Sequence, residues 1–265
     1  MHPKTGTTHL FIDGWLSAGN DEAHVATLYR DYVARHDPNL LPRVRAFSYH
    51  QPELTYSKFD TMGPVATHIQ NLMDVITAAP RATWVVTAYS LGAAVATIAL
   101  GRLSAQLPTL RTRVPLLILW APAFYGGEAV LDVVQQDPAL LKGGVPPPIA
   151  IDLALREGRL PREARQAVTS LLDAGIAVAI MYSQHDQFAP YTPLETLRVL
   201  HQERSAAADE KEKGRRQVAV VDPFLIHVRM RNDHAVQTLT YHLAKPLVST
   251  VRQEAPGPQA DADLA

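Results

Sequence analysis

Short apolar runs alternate with helix-period patterns along this chain, and the alternation is its first structural signal. Thr8-His9-Leu10-Phe11-Ile12 reads as a strand closed by Asp13-Gly14. Over residues 21–36, Val25, Leu28, Tyr29, Tyr32 and Val33 recur at the spacing of one helix face, and Asp37-Pro38 ends the pattern. Residues 44–49 predict a second strand. Val65, Ile69, Leu72 and Ile76 predict a helix closed by Pro80. Residues 83–88 predict a third strand, almost wholly apolar, and the Ala-rich run 91–103 a buried helix. Further strands are predicted at 115–120, 175–182 and 218–221, and Val236, Leu239 and Leu243 predict a last helix.

Repeated strand–helix alternation with continuous apolar strands implies an α/β protein. Its core is expected to be a mostly parallel central sheet of about six or more strands, with helices covering both faces. Residues 123–172 break the rhythm with Gly126-Gly127, Gly143-Gly144, three consecutive prolines at 146–148 and only short helical stretches. They predict a helical cap, or lid, inserted into one domain spanning 1–265. Residues 203–216 are charged and Ala-rich and read as a solvated loop. Residues 254–265 carry prolines and acids without periodicity and are expected to be disordered.

Composition narrows the chemistry. The 265 residues are 47% hydrophobic and 19% charged, with a formal net charge of -1, so no broad basic footprint for nucleic acid is present. There is no cysteine, which removes disulfides, thiolate metal sites and thiol nucleophiles. No apolar stretch is long enough to span a bilayer, and no basic segment followed by an apolar run marks a signal peptide. The expectation is a cytoplasmic protein without an integral membrane segment; secretion without a leader stays open. The eleven histidines form no His-Glu-x-x-His pattern, and no phosphate-binding glycine loop is present, so no metal and no cofactor is expected.

The segment that carries chemistry is Val85-Val86-Thr87-Ala88-Tyr89-Ser90-Leu91-Gly92-Ala93-Ala94: a strand, a small-x-Ser-x-Gly turn, then a helix. Such a sharp turn needs small residues two before and two after the serine. It lifts the hydroxyl above the sheet at a helix N-terminus, where main-chain N–H groups face a developing oxyanion. The competing reading is a serine that only caps the helix.

These residues resemble the nucleophile elbow of the α/β-hydrolase family, with Ala88 in place of the first glycine. The resemblance runs from about Leu10 to Leu243, mainly as pattern. It implies a Ser-His-Asp triad with Ser90 as nucleophile. Asp186 follows the fifth strand in Tyr182-Ser183-Gln184-His185-Asp186 and is similar to the family's acid, with His185 read as a loop residue. His234, in Arg231-Asn232-Asp233-His234 before the last helix, is similar to its base; His227, in a strand-like run, is the competitor. Asp13-Gly14-Trp15 matches the family's first oxyanion loop, which implies Trp15 and Leu91 as the main-chain oxyanion donors. Asp13 stands where the family has histidine. A carboxylate there would repel an oxyanion, so Asp13 is expected to point away and bind backbone N–H groups. Tyr89, Phe124, Tyr125 and Phe188 flank these loops and are candidates to line an acyl pocket. The activity implied is cleavage of a carboxylic ester, small-molecule or lipid, through an acyl-enzyme. Lipase, thioesterase and acyltransferase chemistry use the same triad, and a non-catalytic binding protein on this fold is the other class. The oligomeric state is not readable from the sequence.

Overall fold

The computed structural model describes residues 6–14, 25–47, 65–124, 159–183, 186, 218–221 and 233–249. Strand β1 (Thr8–Ile12) leads into helix α1 (Val25–His36), a 3-10 turn (Pro38–Arg43) and β2 (Val44–Phe47). Helix α2 (Val65–Ala78), β3 (Trp84–Tyr89), α3 (Leu91–Gln106), the short α4 (Leu110–Arg113) and β4 (Leu116–Trp120) follow. After them come α5 (Arg159–Asp173), β5 (Ala177–Met181), β6 (Val218–Val221) and α6 (His234–Val248). Each strand expected from the apolar runs is present. The differences lie at the ends, as at β3 (84–89 against the expected 83–88) and β5 (177–181 against the expected 175–182).

The six strands form one sheet in the order β2-β1-β3-β4-β5-β6, and every pairing is parallel. Side chains alternate between two cores because successive Cβ atoms leave a strand on opposite faces. Leu10, Ile12, Val86, Ala88, Leu117, Leu119, Val178 and Ile180 face α2, α3 and α5. Phe11, Val85, Tyr89, Leu116, Ile118, Trp120, Ala179 and Met181 face α1 and α6. With both faces covered, the central strands β3, β4 and β5 have almost no polar face to display, which is why they read as nearly unbroken apolar runs.

Helix α3 is buried nearly all round, and its alanines let the sheet on one side and α2 and α5 on the other approach closely. At Gly101 the approach is closest: a Cβ there would stand 2.4 Å from the Cβ of Ala167 in α5. Helix α5 occupies the last part of the stretch expected to be a cap. Its Ala164, Val168, Leu171 and Leu172 recur at helical spacing and sit in the core between α3 and the sheet. Helix α5 therefore contributes to the layer that covers the sheet. Residues 125–158, the middle of that stretch, lie outside the described residues, as do 203–216 and 254–265.

Two loops leave the strand ends at the centre of this arrangement. The chain passes from β1 to α1 on one face and from β3 to α3 on the other, so β1 and β3 flank a topological switch point. In open α/β sheets such a crevice, beyond the carboxyl ends of the strands, is where ligands bind.

Candidate active site

Ser90 stands at that switch point, between the last residue of β3 and the first of α3. Its backbone has φ 54 and ψ -123, a conformation that side chains other than glycine rarely adopt. Such residues cost about 1–3 kcal/mol each and persist only where the surroundings over-determine them. The hydroxyl makes no capping hydrogen bond to α3, so the capping role does not explain the serine. The elbow is held through its main chain. Ser90 N–H donates to the Trp120 carbonyl at 2.9 Å, and the Ser90 carbonyl accepts from Ala93 N–H and Ala123 N–H, both at 3.1 Å.

The small residues around the serine have definite reasons. A Cβ on Gly92 would lie 2.2 Å from the Asp13 carbonyl oxygen and 2.8 Å from that of Ile12. The start of α3 therefore rests directly on the end of β1. A Cβ on Gly14 would lie 2.8 Å from the Cβ of Ser90 and 3.1 Å from the Tyr89 ring. Residues 13 and 14 and the serine, separated by most of two β-α units in sequence, form one surface.

Asp13 is buried. Its carboxylate accepts from the N–H of Gly14 at 2.7 Å and from the N–H of Val25, at the start of α1, at 3.0 Å. It binds backbone N–H groups, as expected, and fastens the loop after β1 to α1. Leu91, the expected oxyanion donor, opens α3, whose first N–H groups have no intrahelical partner. Trp15 lies outside the described residues.

Asp186 follows the carboxyl end of β5 and is buried, with its N–H donating to the Ser183 carbonyl at 3.1 Å. His234 is the first residue of α6 and is exposed; Asp233 caps that helix by accepting from Val236 N–H at 3.0 Å. The His234 Nδ1 atom is 3.3 Å from the Thr238 hydroxyl, and its ring faces those of Tyr32 at 5.5 Å and His36 at 5.8 Å. Tyr32 and His36 lie seven and eleven residues beyond Val25, so about 10 and 16 Å down α1 at 1.5 Å per residue. The structure thus brings Gly14, Ser90 and Leu91 together and sets the His234 ring against α1. His227 and His185 lie outside the described residues.

Tyr89 and Phe124 are both buried, in the cores on opposite faces of the sheet. Tyr125 and Phe188 lie outside the described residues. A groove of about 290 Å³ lies elsewhere, between α3 and α5, bridged by the Arg102–Glu163 ion pair at 3.0 Å. Among the described residues no group of three or more His, Asp or Glu side chains could hold a metal ion, and no helix is long and apolar enough to cross a membrane.

Two polar clusters were not foreseen. Burial holds His9 down to about 3, well below an ordinary imidazole; its Nε2 is 2.8 Å from the Thr87 hydroxyl, and its ring packs on Phe11 and Tyr29. Beyond α1, Asp37 accepts from Tyr241 at 2.9 Å and pairs with Lys245 at 3.0 Å. The hydrogen bonds from Lys245 and then Tyr241 keep its carboxyl below the usual range. No local pattern marks either cluster, because their members come from distant segments.

No protein-family model and no curated protein matches the chain by sequence. Among solved structures it is similar to the esterase Pf2001 of Pyrococcus furiosus, with 12% identity over 92% of this chain and 82% of that one, at a TM-score of 0.56. It is also similar to Est1E from Butyrivibrio proteoclasticus in a structure with ferulic acid bound, with 13% identity over 94% of this chain and 92% of that one, at a TM-score of 0.52.

Proposed function

The chain has the α/β-hydrolase fold, and on that premise we propose that it is a serine hydrolase that cleaves a carboxylic ester through an acyl-enzyme. The observation that carries the proposal is the backbone of Ser90, held at φ 54 at the switch point with Gly14 against its side chain. A residue kept in so costly a conformation needs a compensating use, and aiming a hydroxyl at a carbonyl carbon is one.

In this mechanism the Ser90 hydroxyl attacks the ester carbonyl as its proton passes to a histidine. Asp186 stabilises the resulting imidazolium. The N–H groups of Leu91 and Trp15 bind the tetrahedral oxyanion, an interaction in which each donor is worth about 10²–10³ in rate. The imidazolium then protonates the leaving alcohol, and water releases the acid. His234 is the proposed base. His227 is the histidine to compare with it, and parallel His234→Ala and His227→Ala variants decide between them. The esterase neighbours support an ester of a small molecule, and the ferulic acid on Est1E adds esters of aromatic acids to the panel to be tried. Lipid esters, thioesters and acyl transfer use the same machinery. We further propose that the chain is one catalytic domain with a cap insertion in 123–172, that Tyr89, Phe124, Tyr125 and Phe188 border the acyl pocket, and that it works in the cytoplasm.

A second reading draws on the placement of His234. With Nδ1 at Thr238 and its ring on α1, this histidine is engaged as a structural residue would be. That favours a non-catalytic binding protein on the same fold. A fluorophosphonate probe separates the two. An activated serine labels at Ser90, and Ser90→Ala abolishes both labelling and turnover of short aryl esters while the circular dichroism spectrum is unchanged. Absence of labelling in the native protein supports the binding role; turnover undiminished by Ser90→Ala refutes the proposed nucleophile.

A further inference from the structure

The segment after β4 holds Ser90 from two sides in a way that departs from a regular sheet. The β3–β4 register pairs Tyr89 with Trp120, so the next pair in line is Ser90 with Ala121. In a regular parallel ladder Ser90 would donate to the carbonyl of residue 120 and accept from the N–H of residue 122. The first bond is present, to Trp120. The second is impossible, because residue 122 is proline and has no N–H. The chain instead turns at Ala121, with φ 43, and brings Ala123 N–H to the Ser90 carbonyl. The positive φ of Ala121 and that of Ser90 thus face each other across one ladder position. Ala121 N–H donates to the Met181 carbonyl at 2.7 Å, which ties the turn to β5.

Trp120 anchors this turn. It is fully buried, and its indole N–H donates to the hydroxyl of Thr240, at 2.9 Å, in the middle of α6. Thr240 is also fully buried; its hydroxyl accepts from the indole and donates to the Met181 sulfur at 4.0 Å, so both polar groups are satisfied inside the core. Neither side chain is placed to touch a substrate.

We propose that Trp120 and Thr240 are positioning residues: their hydrogen bond lets the last helix set the 120–123 clamp that keeps the Ser90 hydroxyl aimed. The inference rests on Ser90 as the nucleophile. In the purified full-length chain, Thr240→Val removes the acceptor while keeping the shape. A shift of the elbow by a fraction of an ångström then lowers kcat on p-nitrophenyl acetate by about tenfold, with KM within about twofold. Fluorophosphonate labelling of Ser90 slows by a similar factor. Thr240→Ser restores the hydroxyl and with it most of the rate. Trp120→Phe breaks the same bond from the other side, and the double variant falls no further than the worse single variant.

A structural role alone lowers the Tm of Thr240→Val and leaves kcat and the labelling rate of the folded protein at the native level. That result, or effects of the two substitutions that multiply, overturns the proposal. If Thr240→Val yields no folded protein, Trp120→Phe decides in the same terms. A native protein that neither hydrolyses nor labels overturns the hydrolase reading and the clamp with it; an active native protein with unaffected variants overturns the clamp alone.

Discussion

Acid should unfold this protein partly through one histidine. His9 is buried against Phe11 and Tyr29, and among the described residues no carboxylate bonds to it to stabilise an imidazolium. Burial holds its folded pKa at about 3, whereas in the unfolded chain it titrates near the ordinary value of about 6.5. Above pH 7.5 the group is neutral in both states and contributes no pH dependence. As the pH falls through 6.5, the unfolded chain takes up a proton that the folded chain refuses, and stability drops until the pH approaches the folded value. Each pH unit in that window costs about 1.4 kcal/mol, so the loss reaches about 2 kcal/mol at pH 5. His9→Gln keeps a group that can bond Thr87 and removes the titration. The substitution loses ring packing and is less stable at pH 7.5. Its deficit relative to the native chain should shrink by about 2 kcal/mol at pH 5, because the other histidines cancel in the difference. Urea midpoints at several pH values between 7.5 and 5, extrapolated linearly, measure this directly. Parallel stability–pH curves for the two proteins would refute a neutral, buried His9.

The remaining predictions concern the elbow and its support. Ser90→Gly should abolish turnover yet leave the protein about 1 kcal/mol more stable than Ser90→Ala in denaturant unfolding, since glycine accepts φ 54 and alanine does not. Equal stability of the two variants would show that the elbow stores no strain. Gly92→Ala should separate α3 from the end of β1, because its Cβ would lie 2.2 Å from a main-chain oxygen that cannot swing aside. Displacement of this order should lower kcat/KM on aryl esters by about 10²-fold. Gly101→Ala should push α3 from α5 at Ala167 and cost about 1–2 kcal/mol net in thermal or denaturant unfolding, overpacking outweighing the gain in helix propensity.

Much of the fold was legible because its signals are local. Apolar runs such as 83–88 and 115–120 announce strands buried on both faces, and Ala-rich 91–103 announces a buried helix. The turn at Ser90 was readable for the same reason: its small neighbours lie within two residues of the serine. Even the binding mode of Asp13 followed from charge alone, as a carboxylate near an expected oxyanion has to find other donors. Ala164, Val168, Leu171 and Leu172 carry an apolar face at helical spacing, but that it packs beside α3 in the layer covering the sheet is decided by tertiary structure.

Tertiary structure alone decided what depends on pairs distant in sequence. Nothing near Gly14 announces that it will touch Ser90, and nothing near His9 announces Thr87, 78 residues away. Ala121 carries no mark of a positive φ; it adopts one where the chain leaves the ladder beside the serine and Ala123 N–H, not that of residue 122, reaches the Ser90 carbonyl. His234 was chosen for its place before the last helix, but what its ring meets depends on how that helix lies across α1. Periodicity and composition act through a residue's nearest neighbours along the chain, whereas strand order, close backbone contacts and the burial of a charge arise only when the layers pack.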